Sequence, residues 1–165
     1  MKIKQNDNGI LELDDATILW PNFSGHGSKY NAEGSRNFNV SFDGVDRDVI
    51  DELKEKYGWN IRVKPHKDDP DKDYVTMKVN VGYKYKPPQI ILYTGKRAKE
   101  LTERNVGKLD DIDIERVCMD IRPKEWEKGI TAYLQSMRVW QRESRFDKYD
   151  EEYDFNDDVD DEDPF

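Results

Sequence analysis

Between residues 75 and 81, Val75, Met77, Val79 and Val81 alternate with Thr76, Lys78 and Asn80. A period of two means a strand with one face in a core and the other in water. The same pattern recurs at Arg36–Phe42, where Phe38, Val40 and Phe42 share one face, and at Trp59–Lys64, up to Pro65. Leu11–Leu13 and Ala16–Trp20 read as a first strand region halted by Pro21, and Gln89–Tyr93 as a short strand. Ile112–Ile121 and Ile130–Trp140 are the last two strands, with Pro123–Gly129 as a wide turn between them. Ser24–Ser35 is a glycine-rich loop, and His66–Lys72, with three Asp and a Pro, is a turn. Val45, Val49, Ile50, Leu53 and Tyr57 recur at helical spacing. Asp46 or Asp48 is placed to cap that helix and Gly58 to end it. Lys96–Asn105 is helix-permissive. Six or seven short strands with one or two helices predict a mainly β chain, best fitted by a five-stranded Greek-key barrel with extra strands.

The 165 residues suit one domain with a modest core and an appendage, since 38% of the side chains are charged. The net charge of -9 is unevenly distributed. Residues 147–165 hold 11 acidic side chains and one basic, Lys148, which leaves 25 acidic and 26 basic in residues 1–146, a net charge of +1. A like-charge block with little apolar surface predicts a disordered tail over 147–165, separate from a domain at 1–146. No run reaches the eighteen apolar residues of a membrane span. Lys2, Lys4, Gln5, Asn6 and Asp7 stand where a signal peptide would be apolar, so a cytoplasmic protein is expected.

Catalytic and metal chemistry find little footing. The single Cys118 has no disulfide partner within the chain and reads as a core thiol. His26 and His66 lack the spacing partners of a metal site. The Gly25-His26-Gly27-Ser28 run lacks the strand-to-helix setting of a nucleophile elbow. The tail carboxylates lack the central glycine and terminal Glu of an EF-hand loop. Neither a P-loop nor a dinucleotide fingerprint is present. The expectation is a non-enzyme without cofactor or resident metal.

Binding a single nucleic-acid strand needs cations along the phosphates and aromatic faces for the bases. Tyr83-Lys84-Tyr85-Lys86 interleaves the two, and Tyr93, Lys96 and Arg97 follow. From Tyr83 to Arg104 six basic residues stand against Glu100 and Glu103, a local +4. Arg62 and Lys64 beside Trp59, Arg36 beyond the glycine-rich loop, and Lys78 on the polar side of its strand complete the candidate nucleic-acid contacts. Each also has an ordinary reading as a solvated strand face. Parity continues Tyr83 and Tyr85 from the core side of Val75–Val81 unless Gly82 marks a bulge. Trp20, Phe23, Phe38, Phe42 and Trp140 read as core, whereas Trp126 lies in a polar stretch and fits a core poorly.

The acidic segment closes on Asp160-Asp161-Glu162-Asp163-Pro164-Phe165. This ending resembles those of bacterial and phage single-stranded DNA-binding proteins, which end in acidic residues and a Phe. The body is similar to small phage proteins of that kind at Trp20-Pro21-Asn22-Phe23-Ser24-Gly25, Lys29-Tyr30-Asn31, Gly34-Ser35-Arg36-Asn37-Phe38, Gly58-Trp59-Asn60-Ile61, Val75–Val81, Pro87-Pro88 and Lys128–Leu134. The resemblance implies an OB fold, coating of single-stranded DNA during replication or recombination, and a tail whose last six residues recruit replication proteins. The bacterial proteins carry a Gly/Gln/Pro-rich linker before the tip. Here Arg145 runs directly into acid, which favours a phage-type monomer or homodimer over a tetramer.

Two rival readings are an acidic DNA mimic that occupies a host protein's basic groove and a metal-dependent nuclease. The first predicts no oligonucleotide binding with or without the tail, and the second predicts cleavage with Mg2+. Extended, the tail reaches roughly 60 Å, against a radius of gyration of about 14 Å for the body. It can therefore compete with DNA for the body's own cations at high effective concentration. Deleting Asp147–Phe165 is expected to raise affinity for a single-stranded oligonucleotide in an anisotropy titration, and unchanged affinity would refute competition.

Overall fold

The computed structural model describes residues 1–65, 68 and 73–143. The tail over 147–165 and most of the His66–Lys72 turn lie outside the described residues. Among the described residues ten strands are present: β1 Lys2–Gln5, β2 Leu11–Asp14, β3 Thr17–Asn22, β4 Arg36–Ser41, β5 Arg62–Lys64, β6 Tyr74–Val81, β7 Gln89–Thr94, β8 Arg97–Leu101, β9 Ile114–Trp126 and β10 Gly129–Gln141. One helix, α1, spans Arg47–Glu55, and a 3-10 turn spans Val106–Asp110. Among the described residues no helix is long and apolar enough to cross a membrane.

The pairings form a ring. β3 runs antiparallel to β4, β4 to β6, β6 runs parallel to β10, and β10 is antiparallel to β9, which is antiparallel to β2. Only Asp15 and Ala16 separate β2 from β3, so one bent strand pairs with β9 through its first half and β4 through its second. Asp15 makes the bend in the left-handed region, at φ 59, which a short polar side chain tolerates. Ala16 N–H then bonds Val117 O at 2.9 Å and keeps the bent strand against β9. Five strands in this order, with one parallel contact, make the Greek-key barrel of an OB fold, as expected. β1 extends it beside β2 as an added strand, and β5 lies on β6.

β6 and β7 lie end to end along β10. β10 pairs with Val79 and Asn80 through Ala132 and Tyr133, and then with Gln89–Tyr93 through Ser136–Trp140. The chain between them, 82–88, is looped out of the ladder. The barrel interior is filled by the apolar parity of the strands: Leu11 and Leu13, Phe38 and Val40, Met77 and Val79, Val117 and Ile121 are all buried, and a register shift after Leu134 brings both Leu134 and Val139 inside. Phe23 stacks on Phe38 at 5.2 Å. α1 buries Ile50 and Leu53. Asp46 caps it by accepting from Asp48 N–H at 3.0 Å. Gly58, at φ 80, ends the helical turn, and Trp59 N–H returns to Leu53 O at 3.0 Å.

Four elements depart from the sequence reading. Lys96–Asn105 is not helical: Arg97–Leu101 pairs with β7 as β8, because a ladder partner outweighs weak local preference. Pro123–Gly129 is no wide turn: β9 continues through Pro123, opposite Ala132, to Trp126, and only Glu127 and Lys128 form the turn before Gly129 at φ 140. β9 meets β2 only over Cys118–Ile121, so at Pro123 one of its edges is free of a strand, where proline is tolerated. Pro21 does not halt β3, which passes it through a bulge between Leu19 and Asn22. Trp59–Ile61 leaves the helix as a turn, so β5 begins only at Arg62. β1 was not anticipated, since Lys2–Gln5 has too little apolar content to announce a strand.

Phe38 is fully buried between β3, β6 and the start of the glycine-rich loop. Phe38→Ala is expected to lower unfolding free energy by about 3–5 kcal/mol in a denaturant titration, whereas substituting the exposed Lys78 should leave it within about 0.5 kcal/mol.

Candidate nucleic-acid interface

Residues directly opposite across a strand pair share a face, as do residues two apart on one strand. Asn39 faces Lys78, Asn37 faces Asn80, Asn80 is level with Tyr133, and Tyr133 faces Arg122. On the other edge Arg62 faces Thr76 and Lys64 faces Tyr74. The polar sides of β4, β5, β6, β9 and β10 are thus one continuous outer sheet face. Its cations are Arg62, Lys64, Lys78, Arg122 and Lys124.

One end of this face is an aromatic corner. Trp20 takes φ 50 at the β3 bulge, which turns its indole out of the barrel and leaves it 54% exposed. It meets Tyr74 edge-on at 6.4 Å, and Lys64 Nζ lies 5.9 Å from the indole centroid. Trp20 is therefore not core, contrary to the sequence expectation. The bulge that exposes it is a backbone feature that apolar content does not signal.

The other end is a cleft of about 530 Å3 between the 82–88 loop and the β9–β10 hairpin. Tyr83 continues the core parity: it packs against the core with its hydroxyl buried, and burial pushes its phenol up to about 12. Arg36 lies over its ring at 5.5 Å and pairs with Glu103 at 3.4 Å. Beyond Tyr83 the parity breaks, so Tyr85 stands out at 87% exposure, with Lys84 and Lys86 exposed on either side. Across the cleft, Lys124 Nζ lies 4.5 Å from the Trp126 centroid and 5.9 Å from those of Tyr85 and Tyr133. Arg122 lies over Tyr133 at 5.0 Å. Trp126 is fixed by an indole N–H donated to Thr131 Oγ1 at 2.8 Å, with its face half exposed. The cations therefore lie over the ring faces at about 0.5–1 kcal/mol each.

The candidate contacts divide accordingly. Arg36, Tyr83, Lys84, Tyr85 and Lys86 meet in the cleft. Arg62, Lys64 and Lys78 lie on the sheet face beside it. Tyr93, Lys96 and Arg97 are elsewhere: Tyr93 is level with Trp140, seven residues beyond Tyr133 on β10, roughly 20 Å away at strand rise. There Tyr93 stacks on Trp140 at 5.1 Å and 11°, and Arg116 lies over Trp140 at 5.3 Å, so Trp140 is a surface stack and not core. Lys96 sits in the turn between β7 and β8. Trp59 leaves the site altogether. Only 2% exposed, it is a core residue whose indole N–H bonds Gln5 Oε1 at 2.7 Å. Strand parity already sets Trp59 with Ile61 and Val63, on the face opposite Arg62 and Lys64.

Arg122, Lys124 and Tyr133 were not foreseen. Their alternation with Trp126 and Thr131 was visible, but only a continuous β9 puts them on one face. Cys118 also sits on an outer face: half buried, its thiol donates to Asp14 Oδ1 at 2.9 Å, and burial, then that hydrogen bond, raises its pKa. The Arg116 guanidinium bonds the same oxygen at 2.6 Å. Among the described residues no group of His, Cys, Asp and Glu is arranged to hold a metal ion.

Comparison with known proteins bears on the fold and the family. The single-stranded DNA-binding protein from bacteriophage Enc34 has 17% sequence identity and a TM-score of 0.52, over 88% of this chain and 93% of that one. The same phage protein solved in complex with ssDNA gives 18% and 0.49, over 88% and 96%. At such identity the first likeness concerns the barrel fold. No curated protein matches. A family model described as "Putative phage ssDNA-binding domain" matches residues 2–163, nearly the whole chain, and the chain belongs to that phage single-stranded DNA-binding family.

Proposed function

We propose that this chain binds single-stranded DNA without strong sequence preference through the outer face of β4, β5, β6, β9 and β10, and that it serves phage DNA replication or recombination as a monomer or homodimer in the host cytoplasm. The observation that carries the reading is Lys124, whose ammonium lies within 6 Å of three ring centroids in a cleft rimmed by further cations. Stacking surface and phosphate-neutralising charge are the two requirements of single-strand binding, and here they occupy one concave surface. The strand would run from the Trp20–Tyr74 corner, past Lys78, into the cleft. An OB barrel commonly uses this sheet face for oligonucleotides.

The acidic segment over 147–165 has a regulatory part in this reading. With -10 against a body of +1, it is the natural competitor for these cations. Once displaced by DNA, its terminal residues Asp160–Phe165 are available to replication proteins.

Tyr85 and Trp126 present exposed rings, so their replacement does not open the core. Tyr85→Ala and Trp126→Ala should each weaken oligonucleotide binding by about 1–3 kcal/mol with the melting temperature unchanged. Lys124→Ala should flatten the dependence of log K on log salt by about one unit. Anisotropy titrations over a salt series read both. A salt-independent wild type would overturn this reading, and no binding at low salt by either the full chain or the tail-less protein would favour the DNA-mimic reading.

A further inference from the structure

The cleft between the 82–88 loop and the β9–β10 hairpin holds one charge of the wrong sign for a phosphate. Among the described residues that line it, Arg36, Lys84, Lys86, Arg122 and Lys124 are basic and only Glu103 is acidic. The carboxylate is placed there by a pinned turn. Leu101 and Val106 on either side of it are buried. Thr102 N–H donates to Asn105 Oδ1 at 2.6 Å, and Val106 N–H returns to Thr102 O at 2.9 Å. Glu103 accepts from Arg36 Nη1 at 3.4 Å, longer than the roughly 2.7–2.9 Å of a tight charged pair. Its side chain is 58% exposed and that of Arg36 20%, so the pair meets at the cleft surface and not in the core. Such a pair is weak and readily exchanged. Arg36 also lies over the Tyr83 ring at 5.5 Å, a contact that does not need the carboxylate.

We propose that Glu103 is a built-in competitor of the DNA phosphates: it holds Arg36 in the free protein, gives it up to a phosphate when the strand enters, and by opposing that exchange lowers affinity and hastens release. This deepens the proposed function and rests on it. Taking Arg36 from Glu103 costs the existing pair, and the freed carboxylate then faces a polyanion. The exchange is also nearly silent in salt. A phosphate that meets a free cation releases its condensed counterions. A phosphate that takes Arg36 from Glu103 exposes a carboxylate that recruits cations in return. Arg36 therefore adds to the salt slope only once Glu103 is neutralised.

The test titrates the full chain against a labelled single-stranded oligonucleotide by anisotropy over a salt series, with dissociation followed by stopped flow. Glu103→Gln keeps the shape and removes the charge. It is expected to bind severalfold more tightly, to dissociate more slowly, and to steepen the dependence of log K on log salt by about 0.7, with the melting temperature unchanged. Glu103→Ala, which removes the acceptor as well, should give the same result. Glu100→Gln is the control: it removes an equal charge from an exposed residue of β8 opposite Ile91, outside the cleft lining, and should change affinity much less. Weaker binding by the two Glu103 variants overturns the proposal, because Glu103 then holds Arg36 in its working position. Unchanged binding also overturns it, as does a gain that Glu100→Gln matches, since net charge alone then accounts for the effect. All three outcomes leave single-strand binding standing. Failure of the wild type to bind at low salt sinks the underlying function and the competitor with it.

Discussion

The bend at Asp15–Ala16 is what the rest of the fold depends on. Without it, β2 and β3 would be one straight strand with one set of neighbours, and the sheet would have two open edges. With it, the same strand pairs with β9 and with β4, and the ladder closes. Closure turns the alternating apolar residues of five strands inward at once, which lets a chain with so many charged side chains bury three phenylalanines completely. It also fixes which way every polar side chain points. The outer sheet face is therefore a consequence of barrel closure: Lys78, Tyr133 and Arg122 become neighbours because Phe38, Val79 and Ile121 must be inside.

On that face, two interruptions of regular structure create relief. The bulge at Trp20 pushes one indole outward, and the excursion of 82–88 between β6 and β7 raises a wall opposite the β9–β10 hairpin. A flat sheet would offer cations and aromatics in a plane. The wall makes a concave surface in which Lys124 is shared by three rings. Among the described residues Lys124 rests on ring faces, whereas Arg36 is tied to Glu103 at 3.4 Å.

The positive character of the face is invisible in the chain's total charge. The body is nearly neutral, and its acidic side chains are spent elsewhere, as in the Asp14–Arg116–Cys118 contact on the opposite part of the barrel. Segregation of this kind lets one chain carry both a cationic surface and a strongly acidic segment.

Strand existence was legible because period-two alternation is a local property: β4 and β6 were placed almost to the residue, as was the helix with its Asp46 cap and Gly58 stop. The Tyr83–Lys86 run and Lys78 were legible as candidates for the same reason. What the sequence could not decide was where local preference yields to a partner. β8 looked helical until β7 paired with it, and Pro123 looked like a turn until the free edge of β9 accommodated it. Composition and periodicity thus determined by themselves that the chain would be a small β barrel with a near-neutral body and an acidic tail. Only the tertiary structure decided which cations and rings share a surface, because register, bulges and the bend at Asp15 are set by pairing between segments far apart in the chain, and no local pattern records that pairing.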